Sequence, residues 1–362
     1  MIRLPPRFLY LQVNKRCNLR CEHCDFWMRR DDDLENYLGG ERLREVIEEF
    51  SELNSSGAVV LCGGEPMLNL DRYFEVVRYS RENGLRSLSV VNGTRLRSVD
   101  MADRMIGEGP DEISISLNSH RADLHDRTRG VEGSFDKAVS ALRLLLDARR
   151  KASGSKTRIY VMGLIFDENY RDLEAFYEFV LRDIGADKLK LNFLQPSFGH
   201  DSDGDAFFEQ HAQIDPDELV NVIKGCETRF GLGLNPVWLK QVEMYFRSLA
   251  GAEDLGQGWG SRTSTQEHIC NTYDRNIMVD HYGMARLCFA SDFRGSPIAR
   301  FGDLRRFWDT SQDVRESMMS CNRLCGISHS VRRETSSSAS RAATQVLDKP
   351  ALMRLGQLIS EL

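Results

Sequence analysis

Strand-length apolar runs alternate with amphipathic helical stretches along the first half of this chain, and that alternation limits the fold more than any other feature. The runs fall at roughly 8–13, 58–62, 86–92, 112–117, 157–166 and 187–194. Between them apolar residues recur at helical spacing, as in Leu43/Val46/Ile47/Phe50/Leu53 and Phe135/Ala138/Val139/Leu142/Leu145/Leu146, a period near 3.6. Ser134 and Asp136 stand where the second helix wants a capping oxygen and early negative charge. Six near-continuous apolar strands joined by helices predict an α/β fold, a parallel sheet covered by helices. Length alone does not separate an open doubly wound sheet from a barrel.

The 362 residues suffice for one large domain and a smaller one, and 41% hydrophobic with 28% charged residues is a globular composition. A net charge of −6 argues against a nucleic-acid partner, which needs a basic surface. The longest apolar runs, such as Ile159–Phe166, are far short of a membrane span. Met1-Ile-Arg-Leu-Pro-Pro leads into the first strand without a signal-peptide pattern. The nine cysteines therefore point to a reducing cytoplasm, where clustered thiols bind metal rather than form disulfides. Cys62, ending a strand, and Cys226, on the apolar face Leu219/Val222/Ile223/Cys226, read as packed residues.

The other seven cysteines fall into two groups. Cys17, Cys21 and Cys24 follow the first strand with spacing C-x3-C-x2-C. Three thiolates on one loop hold three corners of a cubane iron–sulfur cluster and leave the fourth iron open, as catalytic metal sites keep a position open. Half of a zinc site is the competing reading, but zinc ligands come as paired C-x2-C units and no matching pair lies nearby. The second strand ends in Cys62-Gly63-Gly64-Glu65-Pro66, two glycines that admit a ligand to the backbone and a carboxylate beside them. The third ends in Val91-Asn92-Gly93-Thr94, and the fourth in Ser116-Leu-Asn118, followed by His125-Asp-Arg127-Thr-Arg129-Gly130.

These motifs together resemble the radical S-adenosylmethionine (radical SAM) enzymes, with His23 where that family usually has an aromatic residue before the third cysteine. The resemblance implies a six-stranded parallel partial (β/α)6 TIM-like barrel, with chemistry at the C-terminal strand ends. It implies a 4Fe-4S cluster on Cys17, Cys21 and Cys24 whose open iron is chelated by AdoMet. Gly63, Gly64 and Glu65 would meet the AdoMet ammonium, Ser116 its ribose or carboxylate, and Arg129 its carboxylate through a bidentate fork, with Asn92 in the AdoMet site where the family often carries an asparagine or threonine. One extra residue between Ser116 and Arg129 leaves Arg127 as a rival. In the last strand Leu194 would lie near the adenine and Gln195 would face the substrate.

The second group is Cys270 and Cys288, with Gly283 in a hairpin turn between them, then Cys321-x3-Cys325. This resembles the SPASM/twitch extension of radical SAM enzymes, and four ligands imply one auxiliary 4Fe-4S cluster. A four-thiolate zinc site is the alternative. His329 lies close by in sequence as a proton acceptor, or as a structural hydrogen-bonding residue. The expected division is a barrel at 1–205, a helical connector at 206–265, the cluster domain at 266–332, and a flexible segment with a C-terminal helix at 333–362. Within it, 197–213 reads as a polar loop.

The function expected is a radical SAM oxidoreductase with two 4Fe-4S clusters. It would abstract hydrogen from an unactivated C–H bond and complete a two-electron oxidation through the auxiliary cluster. A flavodoxin- or ferredoxin-type protein would supply electrons. The substrate would be a ribosomal peptide or a small aminocyclitol- or sugar-like natural product, and the early start of strand one favours the small molecule. The C-x17-C spacing is similar to that of the aminocyclitol dehydrogenase of butirosin biosynthesis. A redox-neutral epimerase, with Cys62 or Cys226 as hydrogen donor, and a peptide crosslinking maturase are the alternatives.

Overall fold

A computed structural model describes residues 5–28, 37–195, 205–250, 268–270, 275–288, 295–320 and 330–332. The chain opens with strand β1 (Phe8–Asn14) and continues through α1 (Gly40–Leu53), β2 (Ala58–Gly63), α2 (Leu70–Glu82), β3 (Arg86–Val91), α3 (Val99–Gly107) and β4 (Glu112–Ser116). Helices α4 (Ala122–Arg129) and α5 (Ser134–Lys151) precede β5 (Arg158–Ile165), and α6 (Leu173–Glu178) precedes β6 (Lys188–Phe193). Three helices follow, α7 (Ala206–His211), α8 (Pro216–Phe230) and α9 (Pro236–Ala250). Short elements complete the described chain: β7 (His268–Cys270), β8 (Asn276–Val279), β9 (Met284–Arg286), β10 (Ser296–Pro297), α10 (Asp303–Thr310), α11 (Gln312–Ser320) and β11 (Ser330–Arg332).

Strands β1 to β6 pair in sequence order and in parallel, as the apolar runs predict. One face of each strand, such as Leu9, Leu11, Val59, Leu61, Ile113, Ile115, Ile159 and Val161, is buried under the helices. The opposite face carries Tyr10, Gln12, Val60 and Cys62, and then Ser116, Met162 and Lys190 in register across three strands. A helix-covered outside and a more polar inside are what a partial barrel requires.

The sheet does not stop at six strands. Strand β8 pairs in parallel with β1, Leu9 opposite Ile277 and Leu11 opposite Val279, and β9 and β10 continue outward from it. An open barrel leaves a β1 edge with unpaired backbone groups, and the hairpin covers it. Glu49 of α1, fully buried, reinforces this docking: its carboxylate accepts from Leu304 N and Arg305 N at the start of α10. Two sequence expectations change. The cap of α5 comes from Asp126, which accepts from Gly133 N, Phe135 N and Ser134 Oγ, rather than from Ser134 itself. And the polar stretch 197–213 contains α7, nucleated by the Asp205 side chain on Phe208 N and buried through Phe207 and Phe208. Its acidic, glycine-containing approach hides two adjacent core aromatics.

Candidate active site at the barrel mouth

The C-terminal ends of β1 to β4 converge on the loop that carries Cys17, Cys21 and Cys24. Gly64 lets the β2 end lie against that loop: a Cβ there would stand 2.2 Å from Arg16 O and 2.4 Å from Lys15 O. The contact is bonded from both sides, Glu65 N donating to Arg16 O at 2.7 Å and Gly64 N to Asn14 O at 3.0 Å. Asn14 Nδ2 donates to Glu65 O at 2.7 Å, while Asn14 Oδ1 is buried without a partner among the described residues.

Glu65 is 1% exposed. Its two oxygens accept from Met67 N at 3.1 Å and Asn92 N at 2.7 Å, which ties β2 to β3. Burial nevertheless pushes its carboxyl up to about 7. A carboxylate with two donors still has lone pairs for an ammonium group. Asn92 extends the network: its Nδ2 donates to Asn18 Oδ1 at 3.0 Å, and Asn18 Nδ2 donates to Thr94 Oγ1 at 2.7 Å. Asn18 lies in the cysteine loop, so the β3 end also fixes that loop. Asn14 and Asn18 are partners that sequence reasoning does not single out.

The two arginines separate clearly. Arg127 is exposed and pairs with Glu168 at 2.6 Å. Arg129 is 9% exposed and points the other way, Nη1 to Cys21 Sγ at 3.7 Å and Nη2 to Asn118 Oδ1 at 2.9 Å. Its Nε is buried without a partner among the described residues. Ser116 ends β4 in the inward row, half-buried. Leu194 is buried, its N–H on Ile165 O at 2.9 Å, and Gln195 beside it is half-buried.

Burial pushes the Cys17 thiol up to about 11 and the Cys24 thiol up to about 12, so the loop alone keeps both protonated and a cation is needed to hold them as thiolates. His23, between the last two cysteines, is pushed down to about 3 by burial, with Arg129 and His125 adding to the effect. Its neutral ring packs 5.8 Å from that of Phe207 on α7. Among the described residues, the group of three ligand-bearing side chains whose donor atoms all approach within 4.8 Å is Asp167, Glu168 and His211. The glycine-lined approach and the unpartnered Asn14 Oδ1 and Arg129 Nε, beside three thiols on one loop, fit a cuboidal cluster with a chelated ligand.

Of the second cysteine group, Cys270 ends β7 opposite Ser330 of β11, and Cys288 lies two residues past β9. Cys321, Cys325 and His329 lie outside the described residues, as does the C-terminal helix expected at 333–362. Cys226 is buried on α8 near Tyr177 of the outer helical layer, which removes it as a donor facing the barrel interior. Cys62 lies on the inward face. Among the described residues no helix is long and apolar enough to cross a membrane.

The model of the Radical SAM superfamily matches residues 11–180. The AdoMet-dependent heme synthase of Nitratidesulfovibrio vulgaris is 33% identical over 140 residues, 38% of this chain and 36% of that protein. The AdoMet-dependent heme synthase of Methanosarcina barkeri is 28% identical over 195 residues, 53% of this chain and 52% of that protein. The subtilosin biosynthesis protein AlbA of Bacillus subtilis is 24% identical over 200 residues, 55% of this chain and 41% of that protein. The chain thus spans about a third to a half of the length of these relatives. In three dimensions 87% of it matches 82% of native anSMEcpe with bound AdoMet and a peptide, with TM-score 0.58 and 15% identity. Streptococcus suis SuiB matches at TM-score 0.61 and 12% identity, over 86% of this chain and 68% of that one. These structural likenesses establish the partial-barrel fold, and the family match falls on the cysteine loop and strands just described. Residues 11–180 are a radical SAM domain.

Proposed function

We propose that this chain is a radical SAM oxidoreductase acting on an unactivated C–H bond of a natural-product substrate, a small aminocyclitol- or sugar-like molecule or a ribosomal peptide. The observation that carries the reading is the convergence of Cys17, Cys21, Cys24, Glu65 and Arg129 at one barrel mouth. When bound, the cluster and AdoMet supply an electron and a primary carbon radical that takes the hydrogen atom. The protein's own part is positional. Cys17, Cys21 and Cys24 would hold three irons, Glu65 and Asn14 would accept from the AdoMet ammonium, and Arg129 Nε would donate to its carboxylate. Ser116 and Leu194 would flank the nucleoside. The inward hydroxyl and amide groups of Tyr10, Gln12 and Ser116 suit a polar substrate, with Gln195 beside them, and the rigid mouth would exclude water.

Completion of a two-electron oxidation is read from the second cysteine group, Cys270, Cys288, Cys321 and Cys325, as ligands of an auxiliary 4Fe-4S cluster, with His329 as proton acceptor. The hairpin between Cys270 and Cys288 shares β1 with the first cysteine loop, which supports placing the two groups on one side of the barrel. A flavodoxin- or ferredoxin-type protein is the proposed electron donor. Redox-neutral epimerisation is the second reading. Cys62 faces inward, and burial pushes its thiol up to about 12, keeping the S–H that a hydrogen donor needs.

Anaerobic reconstitution tests the first reading. The protein should bind about eight irons and release 5′-deoxyadenosine when reduced with AdoMet. The Cys17→Ala/Cys21→Ala/Cys24→Ala variant should keep about four irons and release none; continued cleavage would refute the assignment. With substrate, a product two mass units lighter marks oxidation. A product of unchanged mass carrying solvent deuterium marks epimerisation.

A further inference from the structure

We propose that the last turn of α4 clamps the cysteine loop in its folded form before any iron is present, and holds the Arg129 guanidinium against the Cys21 sulfur, where it raises the reduction potential of the bound cluster. The potential-setting half rests on the reading of this loop as a cluster site; the clamp half does not.

A helix C-terminus leaves its last carbonyls without partners in the helix. In α4 two of them are taken by the cysteine loop: Thr128 O accepts from Glu22 N at 3.1 Å and Arg129 O from Arg20 N at 3.0 Å. Those donors flank Cys21 on either side, so the ligand's backbone is fixed at both ends. Trp27 Nε1 adds a third restraint, donating to Cys21 O at 3.0 Å. The close approach requires glycine after the helix. Gly130 has φ 64°, and a Cβ there would lie 2.3 Å from Arg20 O.

The arginine is held as firmly as the loop. Its acceptor Asn118 is itself bonded through every polar group. Asn118 N donates to His125 Nδ1 at 3.1 Å, its Nδ2 donates to Thr128 Oγ1 at 3.0 Å, and its O accepts from Asn169 Nδ2 at 2.7 Å. A guanidinium cannot shed its proton in a protein, and a cation is favoured at a helix C-terminus. Arg129 therefore brings a permanent positive charge and an N–H to within 3.7 Å of Cys21 Sγ. Hydrogen bonds to ligand sulfur and nearby charge are the levers that set a cluster's potential. Positive charge favours the reduced, more negative state, so its loss should make reduction harder.

Two measurements test this on the full-length chain. Hydrogen exchange on the iron-free protein should show the amides of Arg20 and Glu22 protected; free exchange at both would overturn the clamp, whatever cofactor the loop binds. In reconstituted protein, potentiometry followed by EPR should place the potential in the order wild type, Arg129→Lys, Arg129→Gln, from highest to lowest. At a fixed poise the reduced-to-oxidised ratio should fall roughly tenfold from wild type to the Gln variant, equal to about 59 mV for one electron. Lysine keeps the charge but not the planar fork that serves two acceptors at once. An Arg129→Gln variant at the wild-type potential overturns the potential-setting role, and Arg129→Met serves the same test where the Gln variant does not fold. If wild type takes up no iron on this loop, the cluster reading has failed and the potential-setting role falls with it.

Discussion

The two ends of the barrel handle polar groups in opposite ways. At the mouth, Asn14, Asn92, Thr94, Asn118 and Asn169 are buried and interlinked around two charges, Glu65 and Arg129. At the base, charge is plentiful and wet. Arg149 pairs with Asp187, Arg158 bonds Tyr160, and an open cavity of about 620 Å³ is lined by Arg149, Arg150, Lys156, Arg158 and Lys188 with Asp187. Between them, Lys190 and Glu112 pair inside the barrel with the Lys190 ammonium 4.5 Å from the centre of the Tyr160 ring. Uncharged dipoles in a dry site hold a ligand's charges without screening them. Exposed ion pairs do little beyond keeping a surface soluble. Geometry should therefore be unforgiving at the mouth and forgiving at the base.

The largest effect should come from the backbone contact at Gly64. Gly64→Ala must displace the cysteine loop, because the new Cβ meets backbone oxygens of Arg16 and Lys15 that cannot rotate away. A loss of about 3–5 kcal/mol of stability is expected in denaturant unfolding, together with loss of AdoMet binding. Gly107→Ala at the end of α3 meets nothing within 4 Å and should be silent in both assays. Equal damage from the two would remove the contrast between the ends.

Next in size is the amide network. Asn118→Ala strips a partner from Arg129 Nη2 and another from Thr128 Oγ1, leaving buried polar groups unmet. About 1–3 kcal/mol per orphaned group should appear as a lowered Tm, and AdoMet affinity should fall with it. A variant as stable as wild type would mean that Arg129 finds another acceptor.

The six strands were legible because burial on the outer face demands apolar runs; β1 to β6 lie within a residue or two of their expected bounds. The cysteine loop and Gly63–Pro66 stand out in the sequence because cysteines and glycines recur there at short fixed spacing, and the structure brings the two segments together. The amide network was not legible, since its partners lie up to 76 residues apart, as Asn18 and Thr94 do. A signal was nonetheless present: an asparagine stands at or just past the ends of β1, β3 and β4, at Asn14, Asn92 and Asn118. The pairing of β8 with β1 was hidden for another reason. A hairpin pattern fixes local partners but not the sheet edge that receives them.

A smaller effect, and one with a sign, concerns Glu65. Burial raises its carboxyl to about 7, so the free protein increasingly ionises it as pH rises from 6 to 8. For a raised carboxylate the contribution to folding is present below the ordinary carboxylate range and lost as pH rises through about 7. Binding of the AdoMet ammonium runs the other way, because it selects the ionised form. Its Kd should tighten by roughly tenfold between pH 6 and pH 8, measured by calorimetry under argon. Glu65→Gln should bind more weakly and show no such step; a step of the same size in that variant would assign it to another group.

The smallest effect belongs to the base. Arg149→Ala removes a pair with Asp187 whose side chains are 23% and 34% exposed, and a bond from Arg149 Nη1 to Thr157 O at 3.1 Å. Asp187 keeps an acceptor role without it, since Oδ2 also takes Ile159 N at 2.8 Å. Neither partner is left buried and unmet, so the cost should stay within about 0.2–1 kcal/mol and shrink further in high salt. AdoMet cleavage should be unchanged, because the pair sits at the N-terminal ends of β5 and β6, a strand's length from the cysteine loop. If Arg149→Ala instead lowers the cleavage rate while stability holds, the base is coupled to the mouth through the Lys190–Glu112 pair that stands between them. Repeating the measurement in a Glu112→Gln background would then show whether the two effects add.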